Sequence, residues 1–154
     1  MKRLNLLMTF AIGMALVSCA QDGVSNEVKA AFDKKFPNAT AVKWEKENDT
    51  EWEAEFKNDG KAYSANFSTN GDWVETEYKV NRKDLPESIS TLISTDFAGY
   101  KIEEIEKFEK PTSSGYDVEI EKGEEMVELV FDNKGILIEK KSIQEEDETE
   151  EGEK

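Results

Sequence analysis

The sequence predicts an α+β fold: a helix followed by a four-stranded antiparallel β-meander, occurring twice in tandem. Three observations carry this. From Glu51 to Tyr78 apolar and polar residues alternate, and the polar breaks Asn58-Asp59-Gly60 and Asn70-Gly71-Asp72 cut the stretch into three runs. Period-two alternation between turn signals reads as strand, turn and strand. The rhythm then returns: Tyr116–Ile120 copies Trp52–Phe56, and Phe131-x3-Gly135 copies Phe67-x3-Gly71. Finally, Val24, Val28, Phe32 and Phe36 fall at helical spacing, and Leu85, Ile89, Ile93 and Phe97 repeat them. So many matched positions mark an internal duplication.

The chain opens with Lys2 and Arg3, continues through an apolar run from Leu4 to Val17 and ends that run in small residues. This is the layout of a secretory signal, so residues 1–18 are assigned to a signal peptide and 19–23 to a linker. Leu16-Val17-Ser18-Cys19 resembles a bacterial lipobox, which makes Cys19 the candidate lipidation site; the competing reading is ordinary cleavage after Ala20. Multiple acyl chains would anchor firmly, each buried methylene adding about 0.8 kcal/mol.

The first unit is assigned to residues 24–80. Ser25 or Asn26 caps its helix, which stops at Phe36-Pro37 because residues before proline avoid the α region. A strand from Ala41 to Glu47 points Val42 and Trp44 one way. The next places Trp52, Ala54 and Phe56 on one face and Glu51, Glu53 and Glu55 on the other. The third groups Tyr63, Ala65 and Phe67. In the fourth, from about Asp72 to Tyr78, the adjacent Trp73 and Val74 must face opposite ways, so one looks away from the helix.

The second unit is assigned to residues 81–143. Leu85-Pro86 opens its helix and Gly99 stops it. Ile102 or Ile105 points inward from a strand ending at Phe108. Tyr116, Val118 and Ile120 then oppose Asp117, Glu119 and Glu121; Val127, Leu129 and Phe131 follow, and Ile136, Leu137 and Ile138 close the set. Residues 144–154, almost free of apolar groups, are expected to form a disordered acidic tail.

Composition narrows the function. The 154 residues include 20 basic and 35 acidic side chains, for a formal net charge of −15. Nucleic acid and anionic membrane surfaces would be repelled, leaving a basic protein as the expected partner and the lipid anchor as the only membrane contact. Histidine is absent, which removes the usual general base and the commonest metal ligand. A single cysteine allows no intramolecular disulfide. No catalytic residue, cofactor or metal site is expected, and the chain is read as a monomeric, non-enzymatic protein. A sheet with helices on one side leaves its other face wet. The candidate binding face is therefore Glu53, Glu55, Asp117, Glu119 and Glu121, with Trp73 (or its neighbour Val74) and Tyr78 as aromatic anchors. Calcium held by acidic clusters and a purely structural envelope role are the alternatives.

Ala30-Ala-Phe-x3-Phe-Pro-Asn-Ala39, Val42-Lys-Trp-Glu45, Trp52-Glu-Ala-Glu-Phe56 and Phe67-x3-Gly-Asp-Trp73 together resemble the PepSY-like, β-lactamase-inhibitor-like family of secreted bacterial proteins. The resemblance covers roughly residues 24–143 and is weaker in the second copy, where Ile105, Tyr116 and Leu137 replace the tryptophans. It implies that the two meanders join in one eight-stranded sheet, an exported envelope setting, and a protein-binding or inhibitory role. It brings no catalytic residues.

Overall fold

The computed structural model of the chain describes residues 23–143. The expected signal peptide, Cys19 and the acidic tail at 144–154 lie outside them. The described elements are α1 (Asn26–Lys35), β1 (Thr40–Lys46), β2 (Glu51–Asn58), β3 (Lys61–Ser68), β4 (Trp73–Lys79), a single 3-10 turn at Arg82–Asp84, α2 (Glu87–Asp96), β5 (Lys101–Glu109), β6 (Ser114–Lys122), β7 (Glu125–Asp132) and β8 (Leu137–Ile143). All eight strands form one sheet in the order β1-β2-β3-β4-β5-β6-β7-β8, each antiparallel to its neighbours.

The local reasons are those of the sequence. In α1 the Ser25 hydroxyl accepts a hydrogen bond from the Val28 N–H at 3.3 Å, satisfying one donor of the first turn. Lys34 and Lys35 sit in its last turn, where the helix dipole favours cations. The helix α2 starts after Pro86 without a side-chain cap and gives way to Gly99, which takes φ +90°. The β2–β3 hairpin turns through Asp59 and Gly60, both at positive φ, which suits the right-handed twist of the flanking strands.

Both helices lie on one side of the sheet, over two separate cores. Val28 and Phe32 of α1 pack with Trp44, Ala54, Phe56, Ala65 and Phe67. Ile89 and Ile93 of α2 pack with Ile105, Val118, Ile120, Val127, Leu129 and Phe131. Each such side chain taken fully from water contributes about 1.5–3 kcal/mol. The N-terminal core is aromatic: Phe32 meets Trp44, Phe56 and Phe67 edge-on, with ring centroids 5.3, 5.0 and 6.0 Å away. The C-terminal core is largely aliphatic.

Bulges interrupt the pairing in β1, β4, β5 and β8. The one in β5, between Ile102 and Glu104, puts Ile102 opposite Ile120 and Ile105 opposite Val118. Both isoleucines thereby face α2, although a regular strand would turn residues three apart to opposite faces. At the far end, Ile136 and Ile138 are exposed and only Leu137 of that trio packs on the core.

The β7–β8 turn presses on the start of α2. Gly135 has φ +78°, and a Cβ there would stand 2.1 Å from the Ser88 Oγ and 3.1 Å from an Ile89 side-chain carbon. Gly60 has a similar φ of +79° with nothing within 4 Å. The two positions separate backbone strain from collision. Gly60→Ala should cost about 1–2 kcal/mol, the price of the left-handed conformation alone. Gly135→Ala should cost more, about 2–4 kcal/mol, because the turn must also back away from the helix. Urea denaturation of the two variants measures the difference, and equal midpoints would show that the helix yields freely.

Candidate functional site

The sheet face turned away from the helices is built of crosswise rows that the register defines. Glu45, Glu53, Asn66 and Glu75 form one row across β1–β4. Lys43, Glu55, Ser64, Glu77, Phe108 and Gly115 form the next. Lys79, Glu106, Asp117, Val130 and Glu139 make a third, and Glu104, Glu119, Glu128 and Lys141 a fourth. Glu45/Glu53, Glu106/Asp117, Glu104/Glu119 and Glu119/Glu128 are therefore carboxylates set directly opposite one another, an arrangement that destabilises a sheet when both are ionised.

Of the residues expected on this face, Glu53, Glu55, Asp117, Glu119 and Glu121 are there. The expectation that all of them stand free in water fails for Glu53, which is only 8% exposed. Trp73 and Tyr78 are corrections. They are five residues apart and would face opposite ways in a regular strand. The bulge between Asn66 and Phe67 in the β3–β4 register brings both to the helix side. The Trp73 ring lies beneath the Lys35 ammonium of α1, 3.4 Å from ring centroid to Nζ, and its indole N–H donates to the Thr76 hydroxyl at 2.9 Å. Tyr78 packs on Tyr63, with centroids 4.9 Å apart. Neither serves the open face.

The open face does have an aromatic, on β5. Phe108 is 4% exposed and belongs to neither core. It lies over Gly115 on the neighbouring strand, where a Cβ would stand 2.6 Å from its ring and 1.9 Å from the Phe131 carbonyl oxygen. Sequence reasoning also passed over Glu75, Glu77, Glu104, Glu106 and Glu128. Their signal was present, since Glu75 and Glu77 flank Thr76 and Glu128 separates Val127 from Leu129.

Three lysines cross-brace part of this lattice. Lys110 pairs with Glu75 at 2.9 Å, Lys79 with Glu104, and Lys141 with Glu128 at 3.2 Å and Glu139 at 3.6 Å. Elsewhere burial and like charge dominate. Desolvation, reinforced by Glu47, Glu55 and Glu45, pushes Glu53 up to about 7. Desolvation followed by Glu75, Glu106 and Asp117 pushes Glu77 up to about 8. Glu106 and Asp117 rise to about 7 by burial first, then by the carboxylates Glu104 and Glu128 respectively. Glu75 and Glu119 are raised by burial as well. Such a surface attracts cations and resists full ionisation. Among the described residues no three acidic or sulfur or imidazole side chains converge to hold a metal ion, because strand carboxylates project side by side.

The family profile described as “Putative beta-lactamase-inhibitor-like, PepSY-like” matches residues 17–63 and 50–139. Similar solved structures share the fold over most of the chain. A BLIP-like protein from Bacteroides fragilis superposes with a TM-score of 0.71 at 28% identity, over 81% of this chain and 90% of its own. A DUF2874 family protein from Bacteroides ovatus has a TM-score of 0.71 at 21% identity, over 79% and 89%. A protein from Bacteroides eggerthii described as periplasmic has 0.71 at 16%, over 78% and 89%. No curated protein matches the chain. Among the described residues no helix is long and apolar enough to cross a membrane.

The raised carboxyls set the sign of the pH dependence. Their folded values of about 7 to 8 exceed the ordinary ones near 4, so between these limits the folded chain holds more protons than the unfolded chain. Stability should therefore fall as pH rises from about 4.5 to about 8, with a melting temperature several degrees higher at pH 5.5 than at pH 8. Scanning calorimetry across that range checks it, and a rise in stability toward pH 8 would contradict it. Glu53→Gln removes one such group: it should gain about 1 kcal/mol at pH 8 and nothing at pH 5.

Proposed function

We propose, from the premise that the chain belongs to the PepSY-like, β-lactamase-inhibitor-like family, that it is a non-enzymatic binding module of the bacterial envelope. Its working surface is the open sheet face, which docks a basic surface of another protein. The observation that supports this is the excess of carboxylates over lysines on an uncovered face, with acidic side chains opposite one another at four cross-strand positions. A protein selected for stability alone would place cations there. Charge complementarity of this kind governs partner choice and association rate.

The same reading gives the chain a tandem origin, with units at 24–80 and 81–143. Two features support it. The helix-then-meander order occurs twice, and Gly71 approaches Glu27 of α1 as Gly135 approaches Ser88 of α2. Export rests on the basic start and apolar run of residues 1–18, with Cys19 as the acylated residue that tethers the module.

The test reverses charge at positions that are not deeply buried. Glu55→Lys/Glu119→Lys/Glu121→Lys should keep the wild-type melting curve within a few degrees and lose capture of a partner from envelope extracts. Capture by the wild type should weaken steeply with salt, since the contacts are charge pairs near the surface. Capture that survives both the reversal and high salt would move the interface elsewhere.

A further inference from the structure

We infer that Glu53 anchors a subsite on the open face that takes a primary ammonium group, the side chain of a lysine on the docked partner. This rests on the docking function above and names the chemistry at its centre.

Glu53 is more than nine-tenths buried, yet its Oε2 has no hydrogen-bond partner. Around it the register sets Glu45 and Asn66 on the flanking strands, with Glu55 two residues along on the same face. None of the ion pairs among the described residues includes Glu53. The corresponding position of the C-terminal meander, Asp117, also has a buried oxygen without a hydrogen-bond partner and no ion pair of its own, but it has lysines nearby. Lys110 and Lys141 both act on it, each already engaged with Glu75 or Glu128. Lysines thus stand beside Asp117, whereas no ion pair among the described residues includes Glu45, Glu53 or Glu55. A buried acceptor left unpaired costs the full desolvation of that group, and an external cation recovers it.

The donor's form follows from the acceptor. Ser64 lies on the same face beside the Glu53 carboxylate and acts to lower its pKa, and Oε2 is the buried oxygen without a partner. A guanidinium binds best through two parallel N–H···O bonds to both oxygens of one carboxylate. An ammonium is a point charge with three independently directed donors, which can be shared among Glu53, Glu45 or Glu55, and the Asn66 side-chain oxygen. Glu45 is exposed and Glu55 half-buried, so both can swing aside as the lysine enters.

The probe is a blocked Gly-Lys-Gly peptide, with its arginine and Nε-acetyl-lysine counterparts, titrated into the mature protein carrying 13C-labelled glutamate carboxyls. The lysine peptide should move the Glu53 resonance saturably and lower its titration midpoint from about 7 by about one unit, a tenfold preference for the ionised side chain. The arginine peptide should bind roughly threefold or more weakly, and the acetylated peptide should leave the resonance in place. Glu53→Gln, which stays folded because it removes an uncompensated charge, should abolish the response at the neighbouring Glu45 carboxyl. A Glu53 signal unmoved by the lysine peptide at tens of millimolar, or moved equally by the acetylated one, overturns the assignment. A captured partner that binds wild type and Glu53→Gln equally, but not the Glu55/Glu119/Glu121 reversal, removes this inference and leaves the docking function standing.

Discussion

Both helices cover the same side of a single antiparallel sheet, and the remainder of the molecule answers to that constraint. Every strand must send half its side chains to the uncovered face, and those side chains stand about 4.5–5.5 Å from their cross-strand neighbours. A Glu-x-Glu spacing that is unremarkable along one strand therefore becomes a two-dimensional lattice of carboxyls once the strands are adjacent. The burial of Glu53 and Glu128 has this origin: both lie on the uncovered face, enclosed by side chains from the strands on either side, with Glu128 only 2% exposed. A face free of overlying helix can still be dry at its centre, and that dryness is what raises the carboxyls.

Most of the scaffold was legible in the sequence for a plain reason. Turn glycines, prolines and the switch between periods of two and 3.6 residues are local signals, and they placed both helices and the strands to within a few residues. Bulges are different. One added residue leaves composition and approximate alternation intact while reversing which face the following side chains take. The Trp73-Val74 pair marked such a place, because adjacent large apolar residues cannot both be inward in a regular strand. Read as regular, the strand sent an aromatic outward; with the bulge, Trp73 and Tyr78 return to the helix side and the open face loses both expected anchors. Ile102 and Ile105 pose the same puzzle in β5, and a bulge again resolves it by turning both inward.

The candidate site was legible only in outline. Alternation sufficed to put Glu55, Asp117, Glu119 and Glu121 on one face, because each sits between inward apolar residues of its own strand. What it could not supply is which strands are neighbours. The Lys79–Glu104 and Lys110–Glu75 pairs both cross the β4–β5 junction, where the two meanders meet. Glu53 reads as an ordinary surface glutamate until Glu45 and Asn66 are known to flank it. Phe108 is the sharpest case. Its neighbour across the strand is Gly115, whose missing side chain leaves room for the ring. Neither residue announces the other in sequence.

The β1–β4 and β5–β8 parts of the sheet divide their chemistry unevenly, and the unevenness has a physical logic. Beneath α1 the core is a cluster of large rings, which bury more area per residue and add about 0.5–1.5 kcal/mol per well-placed aromatic pair. Beneath α2 the core is mostly aliphatic, with one such ring pair, Phe97 and Tyr100. On the opposite face the lysines pair with Glu75, Glu104, Glu128 and Glu139, from the β4–β5 junction onward, while no ion pair among the described residues includes Glu45, Glu53 or Glu55. The half with the more aromatic core carries Glu53, which no ion pair among the described residues includes. Functional surfaces commonly break a stability rule that is compensated elsewhere in the fold. Here the compensation lies about one sheet thickness away, on the other side of the same strands, since Phe56 and Ala54 hold in place the backbone from which Glu53 and Glu55 project.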